Sequence, residues 1–173
     1  MAVLSAGAAL LALSACSVGG SSEQPAVEKG DPLQSTSEQP RVSQEERAAL
    51  KAYRGMWNDL TAAAAEADPK SPLLDDHASD GALLLLRYGM EKARKENVVS
   101  KGAPRIDPEV LSATADKVTL RDCVDGTHWL QYRKSGELKN DVPGGHGAAD
   151  ATVSLRDGVW KVSKLYLHET GTC

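Results

Sequence analysis

The hydrophobic period of this chain changes once, near Asn97, and that change limits the class of fold it can adopt. Before it, apolar residues recur at spacings of three and four. Leu50, Tyr53, Trp57, Leu60 and Ala64 fall on one face of a helix. Leu83, Leu86, Met90 and Ala93 fall on one face of a second. Ser43-Gln44-Glu45-Glu46 is a capping box, with the Ser43 hydroxyl and the Glu46 carboxylate each meeting the other residue's backbone amide. The first helix therefore starts there, and Asp68-Pro69 ends it. Ser71-Pro72 opens a short turn of helix through Leu74 to Ala78. Asp80 is expected to cap the second long helix, and Lys92, Arg94 and Lys95 suit its negative end.

After Asn97, Gly102, Pro104 and Pro108 break the helical pattern and β-branched residues take over. Asp125-Gly126 and Asp157-Gly158 each sit between alternating segments, which favours two-residue type I′ hairpins. In the first hairpin Val124 is expected to face Thr127, Asp122 to face Trp129 and Leu120 to face Gln131. In the second, Leu155 faces Trp160 and Val153 faces Val162. Its core face is then Val153, Leu155, Trp160, Val162 and, further out, Tyr166. Between the hairpins, residues 135–149 read as a long polar loop containing Pro143-Gly144-Gly145-His146-Gly147. Helices followed by an antiparallel meander of four or five strands imply an α+β domain.

The start of the chain carries a different message. Residues 2–13 are mostly Ala, Leu, Val and Gly, a run too short for a membrane span but suited to a signal peptide. Leu13-Ser14-Ala15-Cys16 resembles the lipobox of bacterial lipoproteins. That resemblance implies cleavage before Cys16 and a diacylglyceryl and palmitate anchor on it. An ordinary secretory signal is the other reading. The expected division is a signal peptide over 1–15, lipidated Cys16 and a Ser-, Gly-, Glu- and Pro-rich tether over 16–42, and one domain over 43–173. The expected location is the extracytoplasmic face of the cell membrane. With Cys16 lipidated, Cys123 and Cys173 remain, and an even pair in an exported protein reads as a disulfide. Closing a loop of about 50 residues contributes about 4 kcal/mol on the chain-entropy account.

The formal charge is −4, and no basic stripe is present, so nucleic acid is not an expected partner. Much of the negative charge sits in the tether, as Glu23, Glu28, Asp31 and Glu38 against Lys29.

Asp122-Cys123-Val124-Asp125 with Trp129, Gly158-Val159-Trp160-Lys161-Val162 and the final Cys173 resemble small actinobacterial lipoproteins of unknown function with a nuclear-transport-factor-2-like (NTF2-like, SnoaL- or cystatin-like) cone. The resemblance covers roughly 43–173. It implies N-terminal helices packed on a curved antiparallel sheet of four to five strands.

Asp122 is the sharpest candidate for chemistry. On the expected register it shares a face with Leu120, Val124 and Trp129, where a carboxylate could act as a general base. The resemblance to ketosteroid-isomerase-like and SnoaL-like enzymes implies acid/base residues inside the cone. The plainer reading outweighs it: Asp122 lies near a hairpin end, solvated or bonded to turn amides. His77, His128, His146 and His168 form no spaced ligand set, and no metal or cofactor is expected. No Gly-x-Ser-x-Gly or Ser-x-x-Lys motif occurs. Asp75, Asp76 and Asp80 read as helix-start charges. Tyr53, Trp57, Tyr88 and Trp129 either line a pocket at the open end of the cone or belong to the core. The leading expectation is a non-enzymatic lipoprotein binding a small ligand or an envelope protein. The alternatives are a cone-pocket enzyme using Asp122 or a histidine, and an accessory subunit of a secretion or lipid-transfer complex.

Overall fold

The computed structural model describes residues 42–140 and 144–173. The lipobox, Cys16 and the tether up to residue 41 lie outside the described residues. Helix α1 spans Gln44–Glu66 and opens on the expected capping box: the Glu46 carboxylate accepts from the Ser43 amide at 2.6 Å, and the Ser43 hydroxyl accepts from the Glu46 amide at 3.1 Å. It closes on a left-handed Ala67 just ahead of Asp68-Pro69. A 3₁₀ turn follows at Pro72–Asp75, then helix α2 over Asp80–Lys95. The cap of α2 is Ser79, one residue earlier than expected, with Asp80 as the first helical residue. The reason is tertiary. The Val162 amide donates to the His77 carbonyl at 2.8 Å and the Ser79 amide to the Val162 carbonyl at 2.9 Å. The approach to α2 is thus clipped to the sheet in extended form, and the helix turns only after it.

Among the described residues six strands follow: β1 (Val98–Lys101), β2 (Glu109–Ala113), β3 (Lys117–Asp125), β4 (Leu130–Arg133), β5 (His146–Arg156) and β6 (Val159–Thr170). They form two antiparallel sheets, a four-stranded one in the order β2-β3-β5-β6 and a two-stranded one of β1 and β4. The helices pack on these sheets, and the molecule is α+β as expected.

The second Asp-Gly turn follows the sequence reading. Asp157 and Gly158 have φ of 51° and 77°, as a type I′ turn demands, and Leu155 faces Trp160 while Val153 faces Val162. Further along, the expected core face fails. Thr152 faces Lys164 and Val153 faces Val162, so Ser163 is an extra residue on β6. This bulge reverses the alternation beyond it, and Tyr166 lies 63% exposed rather than in the core.

The first Asp-Gly turn does not form the expected hairpin. Asp122 faces Ala149, Leu120 faces Ala151 and Val124 faces Gly147, because β3 takes β5 as its partner along its whole length. The Asp125 carboxylate accepts from the Thr127 amide at 2.9 Å and pairs with Arg105 at 2.9 Å, which closes a local turn instead. Residues 126–129 leave the main sheet, and β4 pairs with β1. The expected polar loop of 135–149 is shorter for the same reason, since His146–Ala149 already belong to β5.

The core lies between α1, α2 and the inward face of the larger sheet. Tyr53 and Met56 of α1, Leu74, and Val118, Leu120, Val153 and Val162 of the sheet are fully buried. Among the described residues no helix is long and apolar enough to cross a membrane.

Candidate functional site

Asp122 alternates on β3 with Val118 and Leu120, so the pleat carries it to the core face. It is 3% exposed. The Tyr53 hydroxyl donates to its Oδ2 at 3.0 Å, and the Asp107 amide donates to its Oδ1 at 2.9 Å. The plainer sequence reading placed Asp122 in solvent or on turn amides; it is buried, and the amide it accepts from belongs to Asp107, before β2, not to the turn after Asp125. Burial, and then the charge of Asp122, hold the Tyr53 phenol well above its ordinary range. The Trp57 indole N–H stands close enough to the Tyr53 oxygen to offset part of that rise, outside hydrogen-bond geometry. Each Asp122 oxygen already accepts one bond, so this carboxylate fastens α1 to the sheet and the segment before β2.

Away from Asp122, α2 runs beside the small sheet without closing on it. The gap is a cleft of about 250 Å³. Leu86, Tyr88, Gly89 and Met90 of α2 contribute to one wall, and Trp57, Trp129, Gln131 and Leu167 are among the residues opposite. Trp57 and Trp129 meet edge to face, with ring centroids 6.1 Å apart and planes at 82°. Both indole Nε1 atoms are buried, and neither has a hydrogen-bond partner among the described residues. The lining contains no carboxylate, imidazole, ammonium or guanidinium group.

The four aromatic residues singled out in the sequence separate here. Trp57, Tyr88 and Trp129 line this cleft, with Tyr88 69% exposed at its edge. Tyr53 does not; it is sealed in the core against Asp122. Trp129 is there because the chain departs from the main sheet after Asp125, which the hairpin expectation did not foresee.

Sequence reasoning also missed two Asp–His pairs. His77 Nδ1 lies 2.6 Å from Asp59 Oδ2, linking the approach to α2 back to α1. Gly55 makes room for that ring, since a Cβ there would stand 2.5 Å from it. His168 Nε2 lies 2.8 Å from Asp150 Oδ2, while the Arg121 guanidinium donates to Asp150 Oδ1 at 2.8 Å. Arg121, then His168, hold the Asp150 carboxyl below its usual range. This cluster borders an open cleft of about 440 Å³ that also touches the disulfide; Asp122 borders it only through its small exposed fraction. Both carboxylates are far from their histidines in sequence, so no spacing signal could reveal the pairs. His146 begins β5 and lies 3.8 Å from Asp125. The Thr127 hydrogen bonds, ahead of Arg105, hold Asp125 down at about 2. His128 is exposed.

Asp75 and Asp80 face Arg87 and Arg156 at 3.5 and 3.7 Å. Among the described residues no three His, Cys, Asp or Glu side chains gather as metal ligands. Cys123 and Cys173 form the expected disulfide, with Cα atoms 5.8 Å apart. The Thr172 hydroxyl accepts from the Ala148 amide at 2.9 Å, which holds the terminal segment against β5.

No family model and no curated protein matches the sequence. Solved structures do match in shape. The intermembrane space region of the chloroplast protein ARC6 aligns over 76% of this chain and all of its own, at 12% identity and a TM-score of 0.57. A candidate aromatic ring hydroxylase from Novosphingobium aromaticivorans aligns over 72% of this chain and 87% of its own, at 14% identity and a TM-score of 0.51. The likeness is one of fold. That fold is α+β, and at such identities the likeness does not extend to activity.

Proposed function

We propose that the chain is an exported lipoprotein whose domain binds a small apolar ligand. Cys16 would hold it at the extracytoplasmic face of the membrane, with the segment up to residue 42 as tether. The disulfide supports an oxidising compartment and takes up two of the three cysteines, leaving Cys16 for the lipid. The observation that carries the binding reading is the lining of the α2 cleft. It is apolar and aromatic, with a few polar groups and no acid or base positioned for proton transfer. Asp122, the sequence's candidate base, is engaged elsewhere.

The test is titration with N-phenyl-1-naphthylamine, a neutral fluorophore that brightens in apolar surroundings. Saturable binding of one molecule per chain is expected. A Gly89→Leu variant should lose it, because a side chain at Gly89 meets only open space at the cleft. The substitution also favours helix by up to about 1 kcal/mol, so the variant should remain folded. Undiminished binding by Gly89→Leu would remove the cleft from consideration.

A second reading, docking to an envelope protein, is favoured by Leu84 and Tyr88. They are one turn apart on α2 and each 69% exposed. Crosslinking from position 84 in cells, lost on Leu84→Glu, would support it.

A further inference from the structure

The face of the larger sheet opposite the core treats its charges unevenly. One cross-strand pair sets the Arg121 guanidinium of β3 against the Asp150 carboxylate of β5 at 2.8 Å, a complementary arrangement that stabilises a sheet. Nearer the Asp157-Gly158 turn the matching stops. Lys117 of β3 faces Ser154 of β5, and Thr152 of β5 faces Lys164 of β6. Each lysine meets a hydroxyl residue where Arg121 meets a carboxylate. Neither Lys117 nor Lys164 forms an ion pair among the described residues.

These four residues line a cavity of about 400 Å³, together with Arg156, Ser163 and the start of α2 at Asp80 and Gly81. The bulge in β6 recruits Ser163: Val162 is fully buried in the core, and the two residues after it both border the cavity. Ser163 is 5% exposed. Its hydroxyl donates to the Thr152 carbonyl at 3.2 Å and lies 2.8 Å from the Ser154 hydroxyl. A fixed hydroxyl pair thus stands among three cationic side chains. The lining has one carboxylate, Asp80, 3.7 Å from Arg156, so two positive charges are unmatched. Ammonium and guanidinium groups only donate, and together they suit an anion with several oxygens. No aromatic or large aliphatic side chain lines the cavity, so an apolar body gains nothing there. The volume exceeds that of a bare oxyanion and leaves room for a polar group that carries it.

We propose that this cavity is a second binding site, which takes a phosphomonoester on a polar molecule. Lys117, Lys164 and Arg156 supply the charge, and the hydroxyls of Thr152 and Ser154 contribute to the oxygen contacts. The site is independent of the α2 cleft and shares no lining residue with it. A phosphomonoester brings up to two negative charges and three free oxygens, which matches the unmatched charge. A carboxylate brings one charge and two oxygens and leaves a cation over. The phosphate of a soluble ester and that of a lipid headgroup present the same chemistry, and the test separates them.

The test titrates the ¹⁵N-labelled full chain carrying Cys16→Ala, with its disulfide formed, using glycerol 3-phosphate, glycerate and inorganic phosphate. Glycerol 3-phosphate should saturate one site and move the amide signals of Ser154, Ser163 and Lys164, with glycerate roughly fivefold weaker. Lys117→Gln and Lys164→Gln should each weaken the ester about fivefold. Both side chains are exposed, so the fold should persist, and an unchanged amide spectrum elsewhere checks it. Lys70→Gln removes the same charge from the turn after α1 and should leave binding unchanged. Vesicles of phosphatidylcholine with and without phosphatidic acid identify the source. Binding only to those with phosphatidic acid, lost in the Lys117→Gln, Lys164→Gln double variant, supports the site and puts the phosphate on a lipid. Binding of the ester without vesicle binding supports the site and puts it on a soluble molecule. Inorganic phosphate binding tighter than the ester overturns the larger ligand. Binding of neither ester nor vesicles overturns the proposal. So does equal binding of glycerate, or an equal loss in Lys70→Gln, which would reduce the site to net charge.

Discussion

Tyr53 and Trp57 stand one turn apart on α1, and their polar atoms meet opposite fates. The Tyr53 hydroxyl is buried and donates to Asp122, which also takes the Asp107 amide. The Trp57 and Trp129 indole nitrogens are buried, on side chains that border an open cleft, and donate to nothing among the described residues. The first region uses a polar contact to lock a helix to a sheet. The second leaves comparable groups without a partner among the described residues, on side chains that border a cleft. The satisfied polar atoms here belong to folding, and the two unsatisfied indole nitrogens belong to residues that line the proposed ligand cleft.

The largest test of this contrast is Asp122→Ala. It strands the Tyr53 hydroxyl and the Asp107 amide, and should cost roughly 3 kcal/mol in urea unfolding. A loss below about 1 kcal/mol would show that water replaces the carboxylate and that this end is not sealed.

A second test uses pH. Burial and the Asp122 charge raise the Tyr53 phenol above its usual value of 10.0. The unfolded chain therefore loses this proton first as pH rises. The stabilisation is complete below pH 10 and falls by about 1.4 kcal/mol for each unit above it. Alkaline unfolding followed by circular dichroism should release a phenolate absorbance step in the same transition, and Tyr53→Phe should lack that step. A Tyr53 phenolate that forms while the fold persists would contradict the sealed core.

The smallest effect belongs to the cleft. Trp129→Phe removes an N–H that bonds nothing among the described residues, so unfolding free energy should change by no more than about 1 kcal/mol. A loss as large as that of Asp122→Ala would mean that this N–H has a partner within the fold, and the contrast would collapse.

Much of the scaffold was legible from the chain. The capping box placed the start of α1, and Cys123 and Cys173 met as the cysteine count required. The candidate site was legible only in pieces. Trp57, Tyr88 and Trp129 could be named, but Tyr53 stood with them on helical spacing alone and proved to belong to the core. Asp59 with His77, and Asp150 with His168, gave no signal, because their partners come from different elements.

The two Asp-Gly dipeptides show where sequence ends and tertiary structure begins. Asp157-Gly158 joins two strands that remain each other's neighbours, so a local preference for positive φ sets both turn and register. Asp125-Gly126 has the same local preference, yet β3 pairs with β5 and the chain after Gly126 turns away to build the cleft. The sequence alone determined the helices, the second hairpin and the disulfide, since each depends on periodicity, turn chemistry or cysteine parity. The tertiary structure decided which strand β3 would accept, where the bulge at Ser163 would turn Tyr166 outward, and hence which aromatic residues face open space. Those outcomes depend on the pairing and burial gained across the whole sheet, a sum that can outweigh the preference of any one turn.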